Sequence, residues 1–293
     1  MTLQFGQIRR STVFLLLALV VCLLIGITRG GGGGPELRLR AIDAMGAAGE
    51  PIAFGARVTR RGAFGTERGV PGISVTFLLE GRSIGGAVTD ADGNAHFALR
   101  TNGTGHYFIE ARADASDGRE LATPVHVTAI ATTDTVLFVD VDRSIARPQS
   151  WIQPWLRRYT EYDAAPWAAE VLTSLSEDYY LIYVTDRSRR YAESTRNWLE
   201  ANGFPPAPVY HKNWEFYGGS LSIYKRSIVD SILGIASAEH LAIGSSTQDA
   251  RIYRGAGIAT LILESHRDPG VLPHGAIAAR SWAEIPRLTR RTP

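Results

Sequence analysis

The residue types that phosphoryl transfer requires follow the predicted strands in the second half of the sequence. A carboxylate can attack phosphorus, a neighbouring acid can protonate the leaving oxygen, and hydroxyl and ammonium groups can hold the phosphate oxygens. A further carboxylate can bind a metal ion. In chain order these groups are supplied by Asp140 and Asp142, Thr185, Lys225 and Asp249. Each also has a structural alternative, with Asp140 and Asp142 capping a turn and Lys225 exposed on a helix.

Alternating strand and helix patterns from residue 132 onward must position these groups. Residues Thr135 to Val139 are all apolar or β-branched, which suits a strand that is buried on both faces and ends at Asp140. Further strands are predicted near 181–184, 241–243 and 259–263, and helices near 167–175, 188–201, 223–235 and 249–254. This order predicts an α/β domain over residues 132–293, a doubly wound parallel sheet with helices on both faces. Ligands bind such sheets at the carboxyl ends of the strands, where the candidate residues lie.

Residues 36–131 show a different pattern, with short alternating segments separated by glycine-rich turns. The period near two predicts an all-β sandwich. The clearest strand segments are 73–78, 95–99, 106–111 and 125–130. Asp90, Asp92 and Asn94 could begin a calcium loop, but the glycine stands at the fourth position of that loop instead of the sixth, which favours an Asp-Gly hairpin turn. The segment resembles the bacterial immunoglobulin-like domains of surface and secreted proteins.

Residues 1–35 are predicted to anchor the protein in a membrane. Val13 to Ile27 is uncharged and mostly apolar and follows Arg9 and Arg10, as in a signal sequence. We favour an uncleaved signal anchor over a cleaved signal, with the domains outside the cytoplasm. Gly30 to Gly34 then forms a flexible linker.

Composition excludes several classes of function. The formal net charge of +2 is too small to indicate a nucleic-acid partner. The single cysteine, Cys22, excludes an internal disulfide and a multi-cysteine zinc site. Without a disulfide, rigidity must come from packing, and the 45% hydrophobic content is ordinary for a globular protein.

Two motifs in the second domain resemble those of the haloacid dehalogenase superfamily of phosphatases. The segment Asp140-Val141-Asp142-Arg143-Ser144 is similar to the Asp-x-Asp-x-Thr/Val motif of that superfamily. Asp249 to Ile258 resembles the Asp-Val-x-Ala-Tyr-Arg-x-x-Gly-Ile segment of the lipin-type subset. That subset includes phosphatidate phosphatases and the C-terminal domains of phosphatidylinositol transfer proteins. The resemblance covers about residues 135–285.

The resemblance implies a role for each candidate residue. Asp140 would attack phosphorus to form an aspartyl-phosphate, and Asp142 would protonate the leaving oxygen and later activate water. Thr185 and Lys225 would hold the phosphate. Mg²⁺ would be bound by Asp140, the backbone carbonyl of Asp142 and Asp249.

Four positions depart from the family pattern. Ser144 replaces the usual threonine and keeps its hydroxyl. Ser245 stands where many members have a metal-binding aspartate. The lipin-type subset also tends to have a neutral residue at this position. Asp186 adds a negative charge beside Thr185. Arg143 places a bulky cation beside the nucleophile, where it meets an anionic substrate or points to solvent.

These features together predict a membrane-tethered, Mg²⁺-dependent phosphomonoester hydrolase. Roughly forty residues separate Asp142 from Thr185, and a similar number separates Thr185 from Lys225. Neither interval holds a large cap domain, so we expect an open site that suits phosphatidate or another bulky phosphorylated substrate. The alternative is a catalytically silent module that binds phosphorylated lipid or anionic surfaces.

Overall fold

The computed structural model describes residues 37–62, 66–115, 118–148, 161–212, 220–264 and 271–290. The predicted signal anchor and glycine linker at residues 1–35 lie outside this range. Within the described residues, no helix has the length and apolar character needed to span a membrane.

Two packed β-sheets form the first part of the chain. The strands are β1 (Leu37–Ile42), β2 (Ala44–Ala47), β3 (Pro51–Arg61), β4 (Glu67–Gly69), β5 (Ser74–Leu79), β6 (Arg82–Val88), β7 (Asn94–Arg100), β8 (Gly105–Asp114) and β9 (Glu120–Ile130). In one sheet β3 pairs with β1, β4 and β7, and the other sheet has the order β2-β9-β8-β5-β6. All pairs are antiparallel except β2 with β9. Two packed sheets are what the alternating pattern predicts, and the immunoglobulin-like resemblance itself stays a prediction.

The sandwich core is built from the alternate, inward-facing residues of these strands. Phe54, Phe77 and Phe97 contact one another, with 5.1 Å between the ring centroids of Phe54 and Phe77. The predicted hairpin turn is present, because the Asp90 carboxylate accepts the backbone N–H groups of Asp92 and Asn94.

A six-stranded parallel sheet forms the second part of the chain. The helices and strands of this part of the chain are β10 (Val136–Asp140), β11 (Ala146–Arg147), β12 (Asp163–Ala164), α1 (Ala168–Leu175), β13 (Tyr180–Ser188), α2 (Ala192–Ala201), β14 (Val209–Lys212), α3 (Leu221–Leu233), β15 (Leu241–Gly244), α4 (Thr247–Arg254), β16 (Ala259–Leu263), β17 (Ala276–Ala279) and α5 (Ile285–Thr289). The sheet has the order β14-β13-β10-β15-β16-β17, while β11 and β12 form a separate two-stranded ribbon.

Helices cover both faces of this sheet, as predicted. Strand β10 lies inside the sheet, and all five of its residues are buried. Leu137 and Val139 pack in one core cluster with α1, α2 and α5, whereas Val136 and Phe138 pack in another with α3 and α4. Burial on both faces explains why β10 is a continuous apolar run.

The boundaries differ from the sequence prediction in two places near the site. The helix predicted over 188–201 begins at Ala192, because β13 continues to Ser188 and a 3₁₀ turn covers Arg189–Tyr191. Strand β14 was not among the predicted strands; its last residue, Lys212, is buried and pairs with Ser188.

Asp43, at the corner between β1 and β2, joins the sandwich to the α/β domain. Its carboxylate accepts the backbone N–H of His126 on β9 and that of Val209 on β14, both at 2.9 Å. It also receives two hydrogen bonds from the Arg196 guanidinium on α2. The Asp43 side chain is 2% exposed, so this ion pair is buried between the two domains.

Candidate active site

The carboxyl end of β10 carries the first two candidate carboxylates. Asp140 is the last residue of the strand, and a turn follows in which Ile145 and Ala146 donate backbone hydrogen bonds to the carbonyl of Val141. The turn brings Ser144 back toward the strand end, where its hydroxyl donates to Asp140 Oδ2 at 2.9 Å.

Lys225 forms the centre of a buried charge cluster. Helix α3 begins after Ser220, whose hydroxyl accepts the backbone N–H of Ile223. Lys225 lies on the buried side of this helix, and its Nζ donates to Asp140 Oδ1 at 2.6 Å and to Asp249 Oδ1 at 2.5 Å. All three side chains are at most 5% exposed, so the ammonium group offsets charge that water does not screen.

Asp249 is positioned by the start of α4. Ser246 and Asp249 form a capping box, in which each side chain accepts the backbone N–H of the other residue. Asp249 Oδ2 also accepts from the Ser246 hydroxyl at 2.7 Å and from the backbone N–H of Ser245 at 3.2 Å. A β-carbon on Gly244 would lie 2.7 Å from Asp249 Cβ, so the glycine permits this close approach.

Asp142 is held from behind by residues of β13. Thr185 donates its hydroxyl to Asp142 Oδ2, and Arg187 Nε donates to Oδ1 at 2.8 Å. Burial acts to raise the pKa of Asp142, but the Arg187 charge and the hydrogen bonds outweigh it, so the pKa lies below its usual value. Asp142 is therefore ionised and fixed in orientation.

Asp186 supplies a second carboxyl group to Asp142. Partial desolvation and the nearby Asp142 charge together raise the pKa of Asp186 to about 7, against the opposing charges of Lys225 and Arg187. The Asp142–Asp186 pair thus holds a proton at and below neutral pH, with Asp186 as the protonated partner.

Burial and neighbouring charges also shift the pKa values of Asp140, Asp249 and Lys225. The pKa of Asp140 is raised to about 7, chiefly by burial and also by the charges of Asp249 and Asp142, while Lys225 opposes the shift. Burial also acts to raise the pKa of Asp249, but Lys225 and the capping-box donors hold it below the usual value. Burial acts to lower the pKa of Lys225, and the charges of Asp140 and Asp249 raise it well above the usual value.

The oxygen atoms at the strand ends fit a magnesium ion. The Ser245 hydroxyl lies 3.3 Å from both Asp140 Oδ2 and the backbone carbonyl of Asp142, so two predicted ligands and a further oxygen converge. Mg²⁺ prefers such oxygen ligands and usually retains several waters. Both Asp249 oxygens are already hydrogen-bonded, and among the described residues no three His, Cys, Asp or Glu side chains form a metal cluster.

A cavity of about 370 Å³ opens onto these groups. Its lining includes Asp140, Asp142, Arg143, Lys225, Ser245 and Asp249. Thr185, predicted to hold phosphate, is fully buried behind Asp142 and is not among the lining residues. The predicted residues therefore lie together at one edge of the sheet, but the Thr185 hydroxyl donates its hydrogen bond to Asp142 instead of facing the cavity.

Arg187 is a site residue that the sequence reasoning missed. It is 1% exposed, lies 5.4 Å from the ring centroid of Tyr162, and makes the ion pair with Asp142. The sequence feature that could have identified it is its position two residues after Thr185, at the end of the apolar run 181–184.

Residues 136–262 match the LNS2 domain of PITM 1-3. This family model spans the chain from the start of β10 into β16, so it contains Asp140, Thr185, Lys225 and Asp249. The match supports the expectation of a haloacid dehalogenase-type phosphoric monoester hydrolase in this part of the chain. Comparison with curated proteins gives no match.

Three solved structures illustrate the similarity at the level of the fold. The D,D-heptose 1,7-bisphosphate phosphatase of B. bronchiseptica, complexed with magnesium and phosphate, is 16% identical over 54% of this chain and 99% of that one, with a TM-score of 0.42. A haloacid dehalogenase family hydrolase from Deinococcus radiodurans R1, with bound phosphate and sodium, is 15% identical over 55% and 97%, with a TM-score of 0.41. A haloacid dehalogenase-like hydrolase from Streptococcus pneumoniae is 17% identical over 53% and 98%, with a TM-score of 0.40.

Proposed function

We propose that this protein is a membrane-tethered, Mg²⁺-dependent phosphomonoester hydrolase that acts through an aspartyl-phosphate on Asp140. The observation that carries the proposal is the position of the Asp140 carboxylate. It is buried at the end of β10, contacts Lys225, Ser144 and Ser245, and lines an open cavity. A nucleophile next to a fixed cation and hydroxyl donors is the arrangement that phosphoryl transfer uses.

In the first half-reaction Asp140 attacks phosphorus and the ester P–O bond breaks. The leaving oxygen takes a proton delivered through Asp142, which Arg187 and Thr185 hold in orientation. The proton comes from the Asp142–Asp186 pair, because both carboxyls line the cavity and the raised pKa of Asp186, about 7, keeps Asp186 protonated near neutral pH. The products are an alcohol and an aspartyl-phosphate.

In the second half-reaction water attacks the phosphorus of the aspartyl-phosphate and loses a proton to the Asp142–Asp186 pair. Inorganic phosphate leaves, and the Asp140 carboxylate is restored. Lys225 stays within hydrogen-bonding distance of Asp140 and offsets negative charge in both steps. Asp140, the Asp142 carbonyl and Ser245 would hold Mg²⁺, which when bound neutralises charge between the nucleophile and the phosphate ester.

The open cavity supports a bulky substrate such as phosphatidate. The site cavity has no cap domain among the described residues, and the predicted anchor at residues 1–35 would keep the site near a lipid surface. Proximity to a membrane favours a lipid phosphomonoester over a small soluble metabolite.

The second candidate function is a module that binds phosphorylated lipid without turnover. It is favoured by Ser245, which contributes a neutral hydroxyl at a position where an aspartate would strengthen metal binding. The Asp249 carboxylate, already engaged by Lys225 and Ser246, adds to this argument.

The test compares the full-length protein with two variants in detergent micelles. Wild type, Asp140→Asn and the exposed control Asp230→Asn are assayed for phosphate release from phosphatidate and p-nitrophenyl phosphate, with Mg²⁺ or with chelator. We expect Asp140→Asn to lose about a thousandfold or more of the activity, because the nucleophile is gone, and Asp230→Asn to resemble wild type. Acid-quenched wild type should also retain labelled phosphate.

Equal background release by wild type and Asp140→Asn refutes the hydrolase. Binding of wild type to phosphatidate vesicles without release would then favour the silent module.

A further inference from the structure

Arg143 occupies a backbone conformation that an arginine rarely adopts. Its φ is +68°, in the left-handed region, where any β-carbon clashes with the backbone and glycine is preferred. The turn after β10 requires this conformation, because the Arg143 N–H bonds the carbonyl of Ala146 at 2.9 Å. Strained residues persist where their side chains serve a function or the surrounding structure compels them.

The cavity distinguishes Arg143 from the other strained positions. Among the described residues, the non-glycine residues with positive φ are Glu80, Arg143 and Trp167. Of these three, Arg143 lines the cavity that contains Asp140. A glycine at this position would form the turn without strain, so the side chain itself needs an explanation.

The charges of the cavity identify what the side chain offers. Two cations line the cavity, Lys225 and Arg143. Lys225 is committed to Asp140 and Asp249. The Arg143 side chain is exposed, and no carboxylate among the described residues makes an ion pair with it. The cavity thus presents one guanidinium without an anionic partner from the described chain.

We infer that Arg143 binds a second anionic group of the substrate, separate from the phosphoryl group that is transferred. This inference rests on the proposed hydrolase activity. Arg143 directly follows Asp142, the group that would protonate the leaving oxygen, and both residues line the same cavity. The second group is a carboxylate or a second phosphate, because a guanidinium pairs with both in a bidentate manner.

The second anion has two chemical sources, which the experiment separates. It belongs to the leaving group itself, or it is the headgroup of a neighbouring anionic lipid. The first source is probed with propyl phosphate and 2-carboxyethyl phosphate, which differ only by a methyl and a carboxylate. The second is probed with phosphatidate diluted into vesicles of phosphatidylcholine, with or without phosphatidylglycerol.

The variants separate the charge from the backbone strain. Arg143→Gly and Arg143→Asn suit the left-handed conformation and remove the cation, whereas Arg143→Lys retains a cation without the bidentate geometry. Glu80→Gly relieves a similar strain in the sandwich, at φ +50°, and is the matched control.

The measurement is the ratio of kcat/KM for the anionic probe to that for its neutral partner, in the full-length protein. We expect wild type and Glu80→Gly to favour one anionic partner, soluble or vesicular, by roughly 10-fold to 100-fold, the effect of one charged hydrogen-bonded pair. The ratio should fall toward one in Arg143→Gly and Arg143→Asn, and Arg143→Lys should be intermediate.

Two results overturn the inference, and they are distinguishable. If wild type hydrolyses the esters and the ratios are unchanged in Arg143→Gly and Arg143→Asn, Arg143 does not select the substrate, while the hydrolase stands. If wild type releases no more phosphate from any probe than Asp140→Asn does, the proposed function fails and the inference fails with it.

Discussion

Replacing Lys225 with methionine tests whether the buried charge cluster is organised as the structure indicates. Lys225 Nζ makes ion pairs of 2.6 Å with Asp140 and 2.5 Å with Asp249, and all three side chains are almost fully buried. Methionine has a similar length and volume and no charge. The substitution therefore leaves two carboxylates close together without a cation and creates little empty space.

The expected loss of unfolding free energy at pH 8 is about 3–5 kcal/mol, the cost of removing one partner from a buried ion pair. The raised pKa of Lys225 means that its contribution is fully present below the unfolded pKa of about 10.5 and is lost only as the pH rises through the folded value. At pH 8 the wild-type protein therefore retains the full contribution of Lys225 to its stability. Without Lys225 both carboxylates have raised pKa values, so their ionised forms oppose folding, and the loss should shrink as the pH falls from 8 to 5.

Urea unfolding of the metal-free protein, followed by tryptophan fluorescence, measures this loss. All six tryptophans follow position 150 of the sequence, and residues 37–131, which include the sandwich strands, contain none, so the signal does not come from the sandwich. The control is Arg226→Met, on the same helix, which removes an exposed ion pair with Asp230. Exposed pairs contribute at most about 1 kcal/mol, so the control should unfold close to wild type.

A loss in Lys225→Met that is no larger than that in Arg226→Met, or that does not depend on pH, would refute this account of the cluster. Adding Asp249→Asn to Lys225→Met should recover part of the loss, because it removes one of the two unpaired charges. A further loss in that double variant would equally contradict it.

Two further predictions concern the domain junction and the metal. Asp43→Ala should reduce the free energy of unfolding by about 3–5 kcal/mol, because it leaves the buried Arg196 guanidinium and two backbone N–H groups without their carboxylate. Trypsin should therefore cleave this variant faster than the exposed control Glu50→Ala. Equal cleavage rates of the two variants would contradict the prediction. Because the pKa of Asp140 is raised to about 7, metal binding should expel a proton below that pH. Calorimetry in buffers of different ionisation enthalpy should show this proton release, and the Mg²⁺ affinity should fall as the pH is lowered. An affinity that is unchanged between pH 8 and pH 6 would contradict the prediction.

The sequence alone determined the elements that local patterns specify. The apolar run that ends at Asp140 predicted a strand buried on both faces, and the alternation that follows predicted the parallel sheet to which this strand belongs. The helix predicted near 249–254 is present as α4, which begins with the Ser246–Asp249 capping box. These features depend on periodicity and on neighbours a few residues apart, so they can be read along the chain.

Only the tertiary structure decided how the side chains share their contacts. Thr185 bonds Asp142 instead of lining the cavity, and Arg187 comes from β13 to complete that pair. Lys212 lies in a strand because β14 pairs with β13, which no local pattern specified. Asp43 joins the two domains through residues more than eighty positions away. Each of these contacts joins distant segments, and a buried charge takes whichever partner the packing brings to it, which spacing along the chain does not determine.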